Sequence, residues 1–340
     1  MSRRSGGAPR RPPVKRVSSA VIRSRVRPRS RPVAGLRPEG IRYLRADGTP
    51  NWEQAREMSE GDAKRLASHP AIVVADSANI LETAEIIAKH KVRGLPVVRA
   101  GSEKLVGIVT ALDLVNYLGG GEYYNIVEER HKRNIYSALR DEKITSIANP
   151  TPAKVYVYDK LTDIVNLMIS TGIGLITVVW DDDSVYGVIT EHDIVKLLAG
   201  RSLGIKVEDI ATRSLVTVDV NATIRDAAKT MVLHGFRRLP AMDEQSGEVK
   251  GIITAKDIVS YFGRHEAFKH ITSTNIEEVL ETPVYELMMP GVYTVNHDAD
   301  VGDVASEMIE QNVNSLLVVD EKGEIIGIVT ERDVLEALIQ

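Results

Sequence analysis

The chain has 340 residues, of which 43% are hydrophobic and 26% charged, and it contains no cysteine. This composition is that of an ordinary globular protein, and it excludes disulfide bridges and thiolate metal sites. No apolar run is long enough to cross a bilayer, since the stretch from Leu175 to Trp180 is only the length of a strand. We therefore expect a cytoplasmic protein with no membrane partner.

Charge is distributed unevenly along the chain. Residues 1–45, here called the basic arm, hold fourteen Lys and Arg against a single acid, Glu39, whereas the remaining 295 residues hold 29 basic and 46 acidic side chains. The arm thus has a net charge of +13 and the rest a net charge of −17. Because the arm is rich in Arg, Pro, Ser and Gly, it has little apolar surface to bury, and we expect it to be extended or disordered when free.

After a short helical lead-in over residues 46–66, in which Trp52 is a candidate docking residue, the sequence repeats itself four times. Each repeat is predicted to run β-α-β-β-α over roughly 55 residues, with an alternating opening strand such as Leu215–Val218 or Val292–Val295. The predicted helix of the fourth repeat spans Val301–Gln311. Every repeat ends in the pattern Gly-h-h-Thr-x-x-Asp-h, where h is an apolar residue. The four copies are Gly107–Leu114, Gly187–Ile194, Gly251–Ile258 and Gly327–Val334. The predicted fold class is therefore α/β.

The spacing of the repeats indicates a duplication of a duplication. The final aspartates lie 80, 64 and 76 residues apart, because extra residues stand at equivalent places, 119–146 and 263–284. We therefore predict one pair of repeats at 67–200 and another at 201–340. Pro96 and Pro240 mark repeats one and three, whereas Ile176 and Leu317 stand at the matching places in repeats two and four. This alternation favours pairing of unlike repeats.

The repeated ending after a β-α-β unit resembles the CBS domain, whose tandem pairs are called Bateman modules, and the resemblance covers about 270 of the 340 residues. It implies two modules, each packed through its sheets, with clefts that hold AMP, ADP or ATP as a regulatory ligand rather than a catalytic cofactor. It also implies that the Thr and Asp of each ending contact phosphate and ribose. These residues are Thr110, Asp113, Thr190, Asp193, Thr254, Asp257, Thr330 and Asp333.

The residues themselves leave two interpretations of this pattern open. Thr followed three residues later by an acid at the start of a helix is close to a capping box, which would be purely structural. A capping box favours Glu or Gln, however, whereas all four repeats use Asp, whose carboxylate can accept from two ribose hydroxyls. Lys256 and Arg332, which lie inside the pattern, are further candidates for phosphate contact, and His192 joins them when protonated.

Arginine recurs at alternate positions from 23 to 31 of the basic arm, and prolines keep this stretch from becoming a helix. Arginine forks onto phosphate and stacks on bases, so we predict sequence-indifferent binding to RNA. A solvated tail, a transit peptide, and a segment that binds acidic membrane or the acidic body itself are the alternatives. The predicted RNA-binding residues are Arg3, Arg4, Arg10, Arg11, Lys15, Arg16, Arg23, Arg25, Arg27, Arg29, Arg31 and Arg37.

No phosphate-binding loop, nucleophile elbow or zinc-peptidase motif is present, so we expect a non-enzymatic protein. By its layout the chain resembles archaeal CBS-repeat proteins that act as ribosome hibernation factors. This predicts a nucleotide sensor that docks on ribosomal RNA through its arm and blocks a functional channel. A free allosteric adaptor for a partner enzyme or transporter and a DNA-binding regulator are the alternatives, and a homodimer through the modules stays open.

Overall fold

The computed structural model of the protein describes residues 61–269 and 271–339. The basic arm and most of the predicted lead-in helix, including Trp52, lie outside the described residues. The described part of the lead-in is a short helix, α1 (Asp62–Leu66).

Thirteen strands form four separate sheets in the described residues, one sheet in each repeat. Within each sheet the opening strand pairs in parallel with the second strand, which pairs antiparallel with the third. The strands are β1 (Val74–Ala75), β2 (Gly94–Val98), β3 (Leu105–Thr110), β4 (Lys154–Tyr156), β5 (Leu175–Val179), β6 (Val185–Thr190), β7 (Val218–Asp219), β8 (Arg238–Met242), β9 (Val249–Thr254), β10 (Met289–Pro290), β11 (Thr294–Asn296), β12 (Ser315–Val319) and β13 (Ile325–Thr330).

The remaining α-helices of the described residues are α2 (Ile80–His90), α3 (Ala111–Val115), α4 (Tyr124–Glu129), α5 (Ile135–Arg140), α6 (Leu161–Thr171), α7 (Glu191–Lys196), α8 (Val207–Ile210), α9 (Ile224–His234), α10 (Ala255–Gly263), α11 (Ile276–Leu280), α12 (Val284–Leu287), α13 (Val301–Glu310) and α14 (Glu331–Glu336). One π-helical turn, Asn116–Gly120, follows α3, and 3₁₀ turns cover Ile144–Ser146, Glu266–Phe268 and Ala337–Ile339. The long helices follow the predicted spacing. In α2 the buried positions include Ile80, Ala84, Ile87 and Ala88, and Asn79 caps the first turn.

The predicted α/β class and the four-fold repeat are confirmed, and the predicted fourth-repeat helix agrees with α13 to within one residue. The opening strands begin later than predicted, at Val218 rather than Leu215 and at Thr294 rather than Val292. The residue just before β11 still bonds to its own sheet, since the carbonyl of Tyr293 accepts from the amide of Leu317 at 2.9 Å. Further ahead, Thr212 bridges to Ile328 of the fourth repeat, and β10 pairs with β9 of the third.

The residues just ahead of each repeat, here called its lead-in segment, pair with the other repeat of the same pair. Ser68, ahead of repeat one, pairs with Val188 of repeat two, while Asn149, ahead of repeat two, pairs with Ile108 of repeat one. The second half repeats the exchange through the Thr212–Ile328 bridge and the β9–β10 ladder. We therefore propose the predicted pairs, 67–200 and 201–340, as the two modules.

The glycine that opens each repeated ending makes room for an exchanged segment. A Cβ atom on Gly107, Gly187, Gly251 or Gly327 would lie 2.9, 2.8, 2.2 or 2.9 Å from a carbonyl oxygen of the lead-in that crosses it. A Cβ atom and a backbone oxygen do not approach so closely without displacement of the chain. The glycine of the motif is thus required by packing between repeats, a role that its local sequence does not reveal.

Apolar cores run across the two pairs rather than within them. One core joins repeats one and three and includes Leu95, Tyr117, Leu239 and Phe262, whereas the other joins repeats two and four. The first core also holds the two inserts. The insert amides of Ile135 and Ile276 donate to the carbonyls of Thr274 and Arg133 at 2.8 and 2.9 Å, so the inserts bind each other reciprocally.

Candidate nucleotide-binding site

The four predicted Thr–Asp pairs adopt one geometry at the starts of α3, α7, α10 and α14. In each pair the Thr amide donates to Oδ2 of the Asp at 2.8–2.9 Å, and the Thr hydroxyl donates to the same oxygen at 2.6–2.8 Å. Each pair is therefore a capping box that occupies one carboxylate oxygen. Oδ1 of each Asp takes no part in this box and is the atom through which it could accept from a ribose.

The preference for Asp does not by itself distinguish a ligand site from a cap. Thr223 and Asp226 form the same box at the start of α9, with distances of 3.2 Å from the Thr amide and 2.8 Å from the Thr hydroxyl to Oδ2. This helix start lies outside the repeated ending. The structural interpretation of the pattern is thus realised in all four repeats, and the ligand contacts of these residues stay a prediction.

Burial penalises the charge of two predicted site residues. Burial raises the pKa of Asp113 above its ordinary value, although the hydrogen bonds from Thr110 oppose the shift. Burial also lowers the pKa of Lys256, whose adjacent Asp257 acts in the opposite direction. Both shifts favour the uncharged form of the group.

A buried cluster of charges, here called the central cluster, joins all four repeats. Arg93 of repeat one lies 3.0 Å from Glu191 of repeat two and 3.0 Å from Glu331 of repeat four. Arg237 of repeat three lies 2.8 Å from Glu191. Nε of Arg332 lies 2.7 Å from the other Glu191 oxygen. Both glutamates directly follow the Thr of the motif.

The two glutamates of the central cluster are ionised. Burial would raise the pKa of Glu191, but Arg237, Arg332 and Arg93 outweigh it and lower the value. Burial acts likewise on Glu331, yet the hydrogen bond from His192 and the charge of Arg93 hold its pKa at about 2. Side-chain exposure is only 1% for Glu191 and 2% for Glu331, so water screens these ion pairs little.

The cluster changes the interpretation of two predicted residues. His192 donates to the Glu331 carboxylate at 2.7 Å, and Arg332 combines its ion pair to Glu191 with a 2.7 Å hydrogen bond to the carbonyl of Met168. Their charges are thus largely compensated within the protein. One nitrogen of Arg332, Nη2, is nevertheless buried with no hydrogen-bond partner among the described residues, which leaves a donor for an anionic ligand.

The residues of the central cluster alternate between odd and even repeats, and this alternation is visible in the sequence. Odd repeats place Ala111 and Ala255 after the motif Thr, where even repeats place the two cluster glutamates. Odd repeats also carry Arg93 and Arg237 just before the second strand. Only the pairing of these two alternations in space was inaccessible to sequence reasoning.

Two grooves of the described residues contain none of the predicted Thr and Asp side chains. One lies between repeats one and two beside Leu105, Pro152 and Lys154, and the other lies on repeat four beside Thr294 and Asp303. No group of His, Asp and Glu within 61–269 and 271–339 has the arrangement of a metal site. Among the helices of those same ranges, none has the length and apolar character of a membrane span.

The CBS domain model matches residues 63–120, 144–200, 207–264 and 284–340. Protein MJ1225 of Methanocaldococcus jannaschii is 31% identical over 274 residues, or 80% of this chain and 97% of that protein. Its crystal structure, described as a candidate archaeal homologue of g-AMPK, superposes with a TM-score of 0.74 over 81% of this chain and 98% of its own, at 30% identity.

A 33.4 kDa protein of Thermofilum pendens, named for its place in a ribosomal RNA operon, is 32% identical over 79% of this chain and 88% of its own length. A conserved protein of Pyrococcus horikoshii shares the fold at 21% identity, with a TM-score of 0.51 over 81% of this chain and 98% of its own. The matches to the family model fall on all four repeats, and the relatives extend across both pairs. The chain therefore belongs to the CBS domain family and contains four CBS domains.

Proposed function

We propose that the protein is a non-catalytic regulator whose CBS domains bind adenine nucleotides, AMP, ADP or ATP, at the Thr–Asp helix starts. The observation that carries this proposal is that the central cluster joins four like helix starts. The glutamates at the starts of α7 and α14 pair with arginines whose carbonyls accept from the first amides of α3 and α10. A ribose would be held by Oδ1 of the motif Asp, and the phosphates by cationic donors such as Nη2 of Arg332 and Nζ of Lys256. The relative described as a g-AMPK homologue supports a regulatory role.

Ligand binding would be coupled to shape through the central cluster. A phosphate that attracts Arg332 or Arg93 competes with Glu191 and Glu331, which belong to different repeats. Occupancy would thereby shift the balance of ion pairs between the two modules. Such a shift has a regulatory effect only where the ligand binds two arrangements with different affinity.

Calorimetric titration of the full chain with AMP, ADP and ATP tests the nucleotide proposal. We expect Asp113→Asn, Asp193→Asn, Asp257→Asn and Asp333→Asn to weaken binding at their own sites by about tenfold, since each removes a charge-assisted hydrogen bond. Asp226→Asn is the matched control, because it alters the same type of capping box outside the motif and should leave affinity unchanged. If the four motif variants bind nucleotide as tightly as the Asp226→Asn control, the proposal is contradicted.

A finer proposal concerns the partner of the regulator. We propose that residues 1–45 dock the protein on ribosomal RNA in the cytoplasm, so that the CBS body obstructs a functional channel. The alternate arginines from 23 to 31 support this proposal, and so does the relative named for a ribosomal RNA operon. The free adaptor and the DNA-binding regulator predict that the arm is dispensable or prefers duplex DNA.

Co-sedimentation with ribosomal subunits across a salt series tests this docking. Full-length protein should pellet with subunits at low salt and be released as salt rises, because each phosphate contact displaces counter-ions. A chain that begins at Tyr43 should stay in the supernatant. If the full-length protein fails to pellet while it still binds nucleotide, the ribosome proposal fails and the adaptor is favoured.

A further inference from the structure

Repeat two carries an exposed aromatic patch that the other repeats lack. Tyr156 and Tyr158 stack with ring centroids 5.6 Å apart, and Trp180 meets Tyr186 edge-on, also at 5.6 Å. The hydroxyl of Tyr158 donates to Asp181 at 2.6 Å, which raises the pKa of Tyr158 to about 12 and links the two pairs. Trp180 is 41% exposed and Tyr158 47% exposed.

The fold does not require these aromatic residues. The strand registers place Ala75, Asp219 and Asn296 where repeat two has Tyr156, and they place Arg99, Asp243 and Asp320 where it has Trp180. At the position of Tyr186 the other repeats have Val106, Lys250 and Ile326. Four exposed or half-buried rings at one end of the sheet are thus a property of repeat two, and large exposed apolar groups mark a contact surface.

Acids surround the patch and define the charge of its partner. Asp181 and Asp182 are exposed beside Trp180, and Asp159 follows Tyr158. The hydrogen bonds from Ser184 lower the pKa of Asp182, which keeps this carboxylate ionised. Asp183 is paired with Lys154. Aromatic faces bordered by carboxylates suit arginine, whose guanidinium stacks on rings and pairs with carboxylates, and they repel phosphate.

The described part of the chain begins beside this patch, at Gly61, so the arm that precedes it is tethered there. The amide of Gly61 donates to the carbonyl of Tyr158 at 3.1 Å, and the amide of Lys64 donates to that of Val157 at 3.1 Å. Nζ of Lys64 lies 5.1 Å from the ring centroid of Trp180, so one cation from this end of the chain already occupies part of the patch.

We infer that, when no RNA is bound, residues 23–31 of the same chain dock on the aromatic patch of repeat two. Arg31 precedes Gly61 by 30 positions, a length for which a coil-like chain spans about 30 Å, so the local concentration of arginine at the patch is high. In an extended chain the alternate arginines recur about every 6.6 Å, a step close to the spacing of the rings. Guanidinium groups would lie over Trp180 and Tyr158 and pair with Asp181 and Asp182.

Fluorescence quenching of Trp180 in the full chain tests the contact. The chain has two tryptophans, so Trp52→Phe leaves Trp180 as the single reporter. In this background, replacement of Arg23, Arg25, Arg27, Arg29 and Arg31 by Gln should raise the acrylamide quenching constant about twofold, because the rings lose their cover. The matched control replaces Arg3, Arg4, Arg10, Arg11 and Arg16 by Gln, an equal change of charge, and should leave the constant unchanged.

Salt and variants of the patch complete the test. At 1 M salt the screening length falls to about 3 Å, so the quenching constant of Trp180 should rise in the chain with an intact arm. It should change little in the variant that has the five arginines of 23–31 replaced. Asp181→Asn with Asp182→Asn should also expose Trp180, and Glu321→Gln with Glu324→Gln in repeat four should not. Equal quenching in all proteins, or an equal rise in the control arm variant, overturns the assignment. Cover that depends on protein concentration, or that forms only with added single-stranded RNA, overturns it as well.

Discussion

Odd-numbered and even-numbered repeats share one fold but contribute opposite charges to the centre of the molecule. Repeats one and three supply Arg93 and Arg237, whereas repeats two and four supply Glu191 and Glu331. Because a buried charge needs an opposite partner, this division stabilises contacts between odd and even repeats, and Arg332 of repeat four adds an ion pair to Glu191 of repeat two. Two rounds of duplication thus leave the backbone the same while single side chains specify the arrangement.

The division of charge is most strongly disrupted by Glu191→Gln. This change leaves Arg93, Arg237 and Arg332 without their shared carboxylate, and the expected loss is about 3–5 kcal/mol in the free energy of unfolding. Chemical denaturation measures it. Glu248→Gln, which removes an exposed ion pair to Lys250, should cost less than about 1 kcal/mol. Similar losses in the two variants would show that the central cluster does not stabilise the assembly.

Acid should weaken the even repeats through Glu331. Its folded pKa of about 2 lies below the ordinary value of 4.5, so the stabilisation is complete above pH 4.5 and is lost as the pH falls toward 2. The expected contribution is about 3 kcal/mol, since one pKa unit corresponds to about 1.4 kcal/mol. Between pH 5 and 2 the free energy of unfolding should therefore fall less steeply for Glu331→Gln than for the natural chain. An equal fall in the two proteins would contradict the assignment.

A close contact between helices in the odd repeats is expected to contribute less to the free energy of unfolding than the central cluster does. Nine residues after the motif Thr the odd repeats have Gly119 and Gly263, where repeat two has Ala199. A Cβ atom on Gly263 would lie 2.3 Å from the carbonyl oxygen of Ala84 in α2. Gly263→Ala should therefore cost about 1–3 kcal/mol, measured as a lower denaturation midpoint. Ala199→Gly, the control at the matching position of repeat two, should cost less than about 1 kcal/mol. An equal or larger loss in this control would contradict the prediction that the close contact is specific to the odd repeats.

Sequence reasoning succeeded where the determinants are local. Alternation, helical spacing and the cap residues predicted the four-fold repeat, α13 and the starts of α3, α7, α10 and α14. The partner that Thr212 has in another repeat is long-range, and no local pattern records such a partner. The Asp of the motif forms a helix cap, as the structural one of the two interpretations predicts.

The central cluster and the aromatic patch depend on long-range placement. Arg93 and Glu331 are 238 residues apart in the chain, and only the stacking of repeats brings them to 3.0 Å. Tyr158 and Trp180 are 22 positions apart in the sequence. They come together because β4 and β5 pair in parallel, so that the residues just after the two strands lie at the same end of the sheet.

The exchange of lead-in segments also protects the sheets from one another. The third strand lies at the edge of the three strands that each repeat supplies, and an uncovered edge offers free amides and carbonyls to any passing strand. Here β3, β6, β9 and β13 are each bridged by residues that precede a different repeat. A single CBS repeat of this chain would leave that edge open to aggregation. The pair is thus the smallest unit of this protein in which these edges are closed.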